Sequence, residues 1–155
     1  MIEFQGMSQE QADAYRQGAS DAYGNLPERQ ISAGGAPCRC CLRMIDAGED
    51  MLVLAYRPFS QLQPYAETGP VFLCATPCSP EPKQTSPAIL QSPDYLLKAY
   101  SRDERIIYGT GQVTEVAQIA AYAEDLLQHK DVAFVDLRSA RNNCWQARIT
   151  RRSER

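Results

Sequence analysis

The sequence predicts an α+β fold: a mainly antiparallel sheet, a short N-terminal helix and one long helix in the C-terminal half. Three observations carry this. Short apolar runs alternate with turn-rich stretches, and the links between them are too short for crossover helices. Only two stretches, after Ser8 and after Thr114, repeat apolar residues at three- and four-residue steps. The last third, Val132–Arg148, reads as two strands about a tight polar turn, directly after the better of the two helices.

At 155 residues, the chain is expected to form a single domain over 1–155, including a helix at 8–23 and the basic C-terminal end. A chain of this size buries about two-thirds of its unfolded surface and needs no disulfides for a core. No apolar run approaches the roughly 18 residues of a membrane span. The opening MIEFQGMSQE lacks the basic and apolar regions of a signal peptide, so a cytoplasmic location is expected.

Ile2–Phe4 can form an edge strand. Ser8 and Gln11 fit a capping box, and Ala12, Tyr15, Ala19 and Tyr23 give the helix one weakly apolar face, ended by Gly24-Asn25. Leu26–Ala36 reads as loop and Asp46–Asp50 as a turn. Met51–Tyr56 is a strand, Arg57–Pro70 a long loop, and Val71–Ala75 a short apolar strand. The Pro-rich Thr76–Thr85 is loop, and Ser86-Pro87 can start a helical turn through Gln91. Tyr95–Tyr100 and Arg105–Tyr108 suggest a hairpin, with Gly109-Thr110-Gly111 bending its end. Thr114 is the expected N-cap of the long helix, whose stripe is Val116, Ile119, Ala120, Ala123, Leu126 and Leu127, with His129 and Lys130 in the last turn. Val132–Ala140 is the next strand, and Asn142-Asn143 is expected to make a two-residue turn. In the return strand, strict alternation puts Trp145, Ala147 and Ile149 on one face and Cys144, Gln146 and Arg148 on the other.

Charge is uneven. Residues 1–137 hold 10 basic and 18 acidic side chains, whereas residues 138–155 hold six arginines and one glutamate. An acidic body with a basic end disfavours a dedicated nucleic-acid binder. It leaves room for a small anionic ligand at that end, or simply for a solvated tail.

Six cysteines in a chain without an export signal are expected as reduced thiols. Cys38 and Cys41 form C-x2-C, and Cys74 and Cys78 form C-x3-C. Zinc takes four such ligands in a tetrahedron, and paired short spacings let two turns present two thiolates each. A structural zinc on Cys38, Cys41, Cys74 and Cys78 is one reading, with Cys40 as a competing ligand. Free thiols are another, since Cys74 lies in an apolar strand. Redox use of Cys38 and Cys41 is a third, although the pair does not open a helix after a strand.

A second constellation is Arg138, Arg141, Asn142, Asn143 and Cys144. Arginine forks and Asn amides suit an anion, and Cys144 beside them is the candidate nucleophile. The plain alternative is a hairpin tip with solvated arginines. Gly109-Thr110-Gly111 is too short for a nucleotide fingerprint and reads as a turn. His129 is the only histidine, which leaves little scope for triads or multi-histidine metal sites. Glu49, Asp50 and Glu67 form no convincing acid–base pair.

The order Pro37-Cys38-Arg39, Cys41-Leu42-Arg43, Ala47-Gly48-Glu49, Arg57-Pro58-Phe59, Pro64–Glu67, Gly69–Phe72 and Cys78, followed by Tyr108–Gly111 and Arg138–Cys144, resembles the bacterial domain-of-unknown-function family 1203. The resemblance runs roughly from Pro27 to Arg151, and its last motif is the most specific. It implies a small stand-alone bacterial protein of the cytosol without an assigned activity. Cys74 stands where the family pattern often has His, another good zinc ligand. Cys144 resembles the family's more general cysteine. The leading reading is a binding or regulatory module with one structural zinc. The alternative is a small enzyme or anion-binding protein working at Arg138, Arg141, Asn142, Asn143 and Cys144. A third reading is weak nucleic-acid or anion binding through the arginine-rich end.

Overall fold

A computed structural model describes residues 1–82 and 84–153. In chain order the elements are β1 (Ile2–Gln5), α1 (Gln9–Arg16), β2 (Glu28–Ile31), β3 (Ala36–Pro37), β4 (Met44–Ile45), β5 (Asp50–Tyr56), β6 (Gly69–Cys74), β7 (Asp94–Tyr100) and β8 (Gln112–Glu115). A 3-10 turn (Val116–Gln118) then leads into α2 (Ile119–Gln128), β9 (Phe134–Ser139) and β10 (Trp145–Arg151). The strands form a five-stranded sheet, β1-β10-β9-β7-β8, a three-stranded sheet, β2-β5-β6, and the small β3-β4 pair. All strand pairs are antiparallel, so the predicted fold class holds. Among the described residues, no helix is long and apolar enough to cross a membrane.

The first core lies between α2 and one face of the five-stranded sheet. Ile119, Ala123, Leu126 and Leu127 recur on one side of α2 and are buried, as one apolar stripe requires. They meet Leu97, Val135, Leu137, Ala147 and Ile149. Val116 and Ala120 of the expected stripe stay exposed. The helix also starts later than Thr114 suggested. Thr114 is buried inside β8, opposite Tyr95, and its hydroxyl donates to the Gln112 carbonyl. Pairing with β7 holds residues 112–115 extended, overriding a local capping preference. Arg105–Tyr108, the expected partner of β7, contributes only an isolated bridge between Ile106 and Tyr100. Gly109 (φ +90°) turns the chain there, and the Thr110 hydroxyl accepts the Ala99 N–H in place of a ladder carbonyl.

The α1 capping box forms as expected: the Gln11 N–H donates to Ser8 Oγ, and the Ser8 N–H donates to Gln11 Oε1. The helix ends at Arg16 rather than Tyr23. Gly18 enters the left-handed region (φ +96°), and the Asp21 carboxylate then accepts from the Tyr23, Asn25 and Ala55 N–H groups. Such side-chain acceptors compete with helix continuation. The stretch expected as loop, 26–36, contains β2, whose four residues are all exposed and so show no apolar alternation. Pro87–Gln91 forms a turn only, with the Leu90 N–H donating to the Pro87 carbonyl.

The β9–β10 pair is central, as predicted, but its turn is longer. Residues 140–143 are enclosed by a Ser139 N–H to Cys144 carbonyl bond of 2.9 Å, and of the two asparagines only Asn143 has positive φ, at +59°. The register shifts between Trp145 and Ala147: Trp145 opposes Arg138 whereas Ala147 opposes Leu137. This one-residue bulge corrects the expected alternation. Ala147 and Ile149 face α2, whereas Trp145 turns to the other side and joins a second core with Tyr56, Leu54 and Leu73. On the sheet face away from α2 lies a polar layer, packed against Phe59, Tyr100 and Phe134. Asp136, fully buried, receives Arg148 Nε at 2.8 Å and Nη2 at 3.1 Å. Glu67 receives Lys98 Nζ at 2.7 Å.

Candidate metal centre

The second core is organised around sulfur. The β3–β4 pair forms a knuckle in which the Cys38 N–H donates to the Arg43 carbonyl and the Leu42 N–H to the Cys38 carbonyl. Leu42 takes φ +57° at the position where the sequence lacks the glycine such a turn favours. The knuckle is fastened to β6 by the Arg39 N–H on the Phe72 carbonyl and by the Cys74 N–H on Cys38 Sγ at 3.3 Å. Cys74 ends β6, and Cys78 follows on the loop beyond it. α1 holds that loop: Arg16 Nε donates to the Cys74 carbonyl at 2.9 Å and Gln9 Nε2 to the Cys78 carbonyl at 2.8 Å.

These connections bring all four predicted sulfurs together. The Sγ atoms of Cys38, Cys41, Cys74 and Cys78 lie within 4.8 Å of one another. The Cys38–Cys78 separation is 3.7 Å, close to the roughly 3.8 Å edge of a sulfur tetrahedron with metal–sulfur bonds of about 2.3 Å. All six cysteines are free thiols. Cys40 is not in the set; it is fully buried, with its thiol hydrogen-bonded to Cys78 at the edge of the cluster.

The electrostatics show what this arrangement lacks on its own. Hydrogen bonds from Cys41, Cys74 and Cys78 pull the Cys38 thiol far below its ordinary value. Each of the other three is pushed up, first of all by its bond to Cys38. Four thiolates packed this closely need a cation. Arg16 offsets part of that charge, its Nη2 lying 2.9 Å from Cys78 Sγ with only 7% of its side chain exposed. Arg16 and Gln9 carry no metal-ligand signature in the sequence; their place depends on how α1 docks.

The hairpin residues are brought near one another but do not converge on an open site. Arg138 is buried, its Nη1 donates to the Asn143 carbonyl at 3.0 Å, and its Nη2 lies 2.7 Å from Glu67 Oε2. That ion pair lacks hydrogen-bond geometry, and Arg138 Nε has no partner among the described residues. Arg141 pairs with Asp94 at 2.9 Å. Asn142 and Asn143 are exposed, and Cys144 is half-buried with Sγ 3.8 Å from the Asn142 carbonyl. His129 caps the C-terminus of α2 on the surface.

Residues 35–151 match the family described as protein of unknown function (DUF1203), and the chain belongs to that family. No curated protein and no solved structure matches it. The matched span contains all four clustered cysteines and leaves out α1 with its Arg16 clamp.

Proposed function

We propose that this chain is a small binding module of a reducing, cytosolic compartment, its second core held by one structural zinc on Cys38, Cys41, Cys74 and Cys78. The observation that carries the reading is the four-sulfur set within 4.8 Å. A set of four protein thiolates closes the coordination sphere, which is the pattern of structural rather than catalytic zinc. The N–H donor from Cys74 and the arginine donor on Cys78 are the outer partners such a site uses to orient its ligands. A reducing compartment fits because six free thiols would otherwise be open to oxidation.

The test is elemental analysis of untagged protein purified without chelator, with thiols counted before and after denaturation in chelator. The expected result is about one zinc per chain and four thiols released on denaturation. Iron in its place, which the same ligands accept, would overturn zinc. Protein free of any metal, with all thiols titrating freely, would overturn the metal centre.

A further inference from the structure

A cleft of about 320 Å3 opens where the N-terminus of α1, the end of β5 and the start of β10 meet. It is separate from the sulfur cluster, and the hairpin motif does not reach it. Its floor carries Arg148, held by Asp136, by the Pro58 carbonyl at 2.6 Å and by the Phe134 ring at 3.6 Å. Among the described residues, Nη1 is the one nitrogen of this guanidinium without a protein acceptor. Arg57 lines the cleft too; its Nε makes a long bond of 3.4 Å to the Phe59 carbonyl, and it pairs with no carboxylate among the described residues. Trp145 forms another wall, is 5% exposed, and its buried Nε1 has no partner among the described residues.

We infer that this cleft binds a small organic carboxylate with a planar body, its oxygens held by Arg57 and Arg148 Nη1 beside the Trp145 wall. Charge decides between anions. Arg148 is already balanced by Asp136, so among the described residues Arg57 is the cation in the cleft that pairs with no carboxylate. Glu104 on the rim, accepting from the Ser60 N–H at 2.9 Å, adds a negative charge that opposes a dianion. A monoanion therefore fits better than a phosphate ester. Tyr56 and Phe59 line the cleft with a small apolar surface, each being 6% exposed, and the Tyr56 hydroxyl donates to Gln11. The volume is at the low end for ligand sites, the size of a single-ring acid. Arg148 is fixed before binding by Asp136 and the Pro58 carbonyl, so its ordering adds little cost.

This inference rests on the binding-module reading and gives it a ligand class; because Tyr56 and Trp145 of the cleft belong to the second core, it is tested on protein of known zinc content, and one sample separates the two. Trp145 is the only tryptophan, so the chain gives a single indole N–H signal in a 15N-labelled spectrum. Zinc-analysed protein is titrated with benzoate, benzamide and phenyl phosphate while that signal is followed. Expected is a saturable indole shift with benzoate, half-complete at or below a few millimolar, little with neutral benzamide, and weaker binding of phenyl phosphate. Arg57→Gln, which removes a side chain with one weak internal bond, should weaken benzoate by roughly tenfold or more without changing the folded spectrum. Equal binding of benzamide would overturn anion recognition, and tighter phenyl phosphate would overturn the monoanion assignment. No saturation by any probe in zinc-replete, folded protein would overturn the cleft as a site. Benzoate binding to protein without zinc would uphold the cleft and remove the metal centre.

Discussion

Leu42 shows how a single residue can run against its own preference. A non-glycine residue in the left-handed region carries a backbone penalty of about 1–2 kcal/mol, yet Leu42 sits there at φ +57° and is buried in the first core. The penalty and the packing can be separated. Leu42→Ala loses the buried side chain and keeps the strain, whereas Leu42→Gly loses the side chain and relieves the strain. Both should be less stable than the parent, but the Gly variant should unfold at higher urea than the Ala variant, by about 1 kcal/mol. The reverse order would show that the knuckle does not impose this conformation. The cysteines allow a second prediction. With the cluster metal-bound and Cys40 fully buried, Cys144 should be the one thiol that a maleimide labels in native protein. Cys144→Ala should then abolish native labelling, and rapid modification of a second cysteine would contradict the closed site. Both cysteine pairs were legible in the sequence because short spacing alone lets one turn present two sulfurs. Arg16 and Gln9, which hold the second pair, were not legible, since their contacts span more than fifty residues of chain.

At the scale of elements, the readable parts are those whose own pattern decides their conformation. The α2 stripe, the Ser8–Gln11 box and the apolar β5 and β7 runs are of this kind. β2 and β8 are decided by their partners: Glu28–Ile31 is exposed throughout and Gln112–Glu115 carries a buried threonine among exposed residues, so neither alternates as a half-buried strand would. The bulge at Gln146 is also invisible to periodicity, and it moves the only tryptophan from one core to the other. The contribution of α1 can be tested through its last residue. Arg16 joins the helix to both members of the second cysteine pair and meets the Cys78 sulfur at 2.9 Å. Arg16→Ala should weaken zinc retention by about tenfold, the lower end for loss of an outer partner, measured by competition with a chromophoric chelator. Retention equal to the parent would mean that the helix merely covers the site.

The molecule has two large cores of different origin beside a small Phe59–Tyr100–Phe134 cluster, and this predicts how it fails. The first is apolar, formed by α2, β7, β9 and β10, and contains no cysteine. The second contains Cys38, Cys40 and Cys41 with β5, β6 and Trp145, and its knuckle strands have only two residues each. Structural zinc contributes on the order of 10–16 kcal/mol to such a site, comparable to the roughly 5–15 kcal/mol stability of an entire small domain. Chelation should therefore melt the second core while the first retains its own apolar packing. Hydrogen exchange after chelation should show β5 and β6 losing protection while β7, β9 and α2 keep theirs. Trp145 emission should move to longer wavelength as its contact with Tyr56, now 5.4 Å between ring centroids, opens to water. The opposing influence is the buried polar layer, because exposing Asp136 and Arg148 together links the cores through the same strands. The Asp136–Arg148 pair lies within a hairpin, β9–β10, so it survives with the first core and need not transmit the collapse. Loss of protection in β7 and β9 at the same rate as in β5 and β6 would show that the polar layer binds both cores into one cooperative unit.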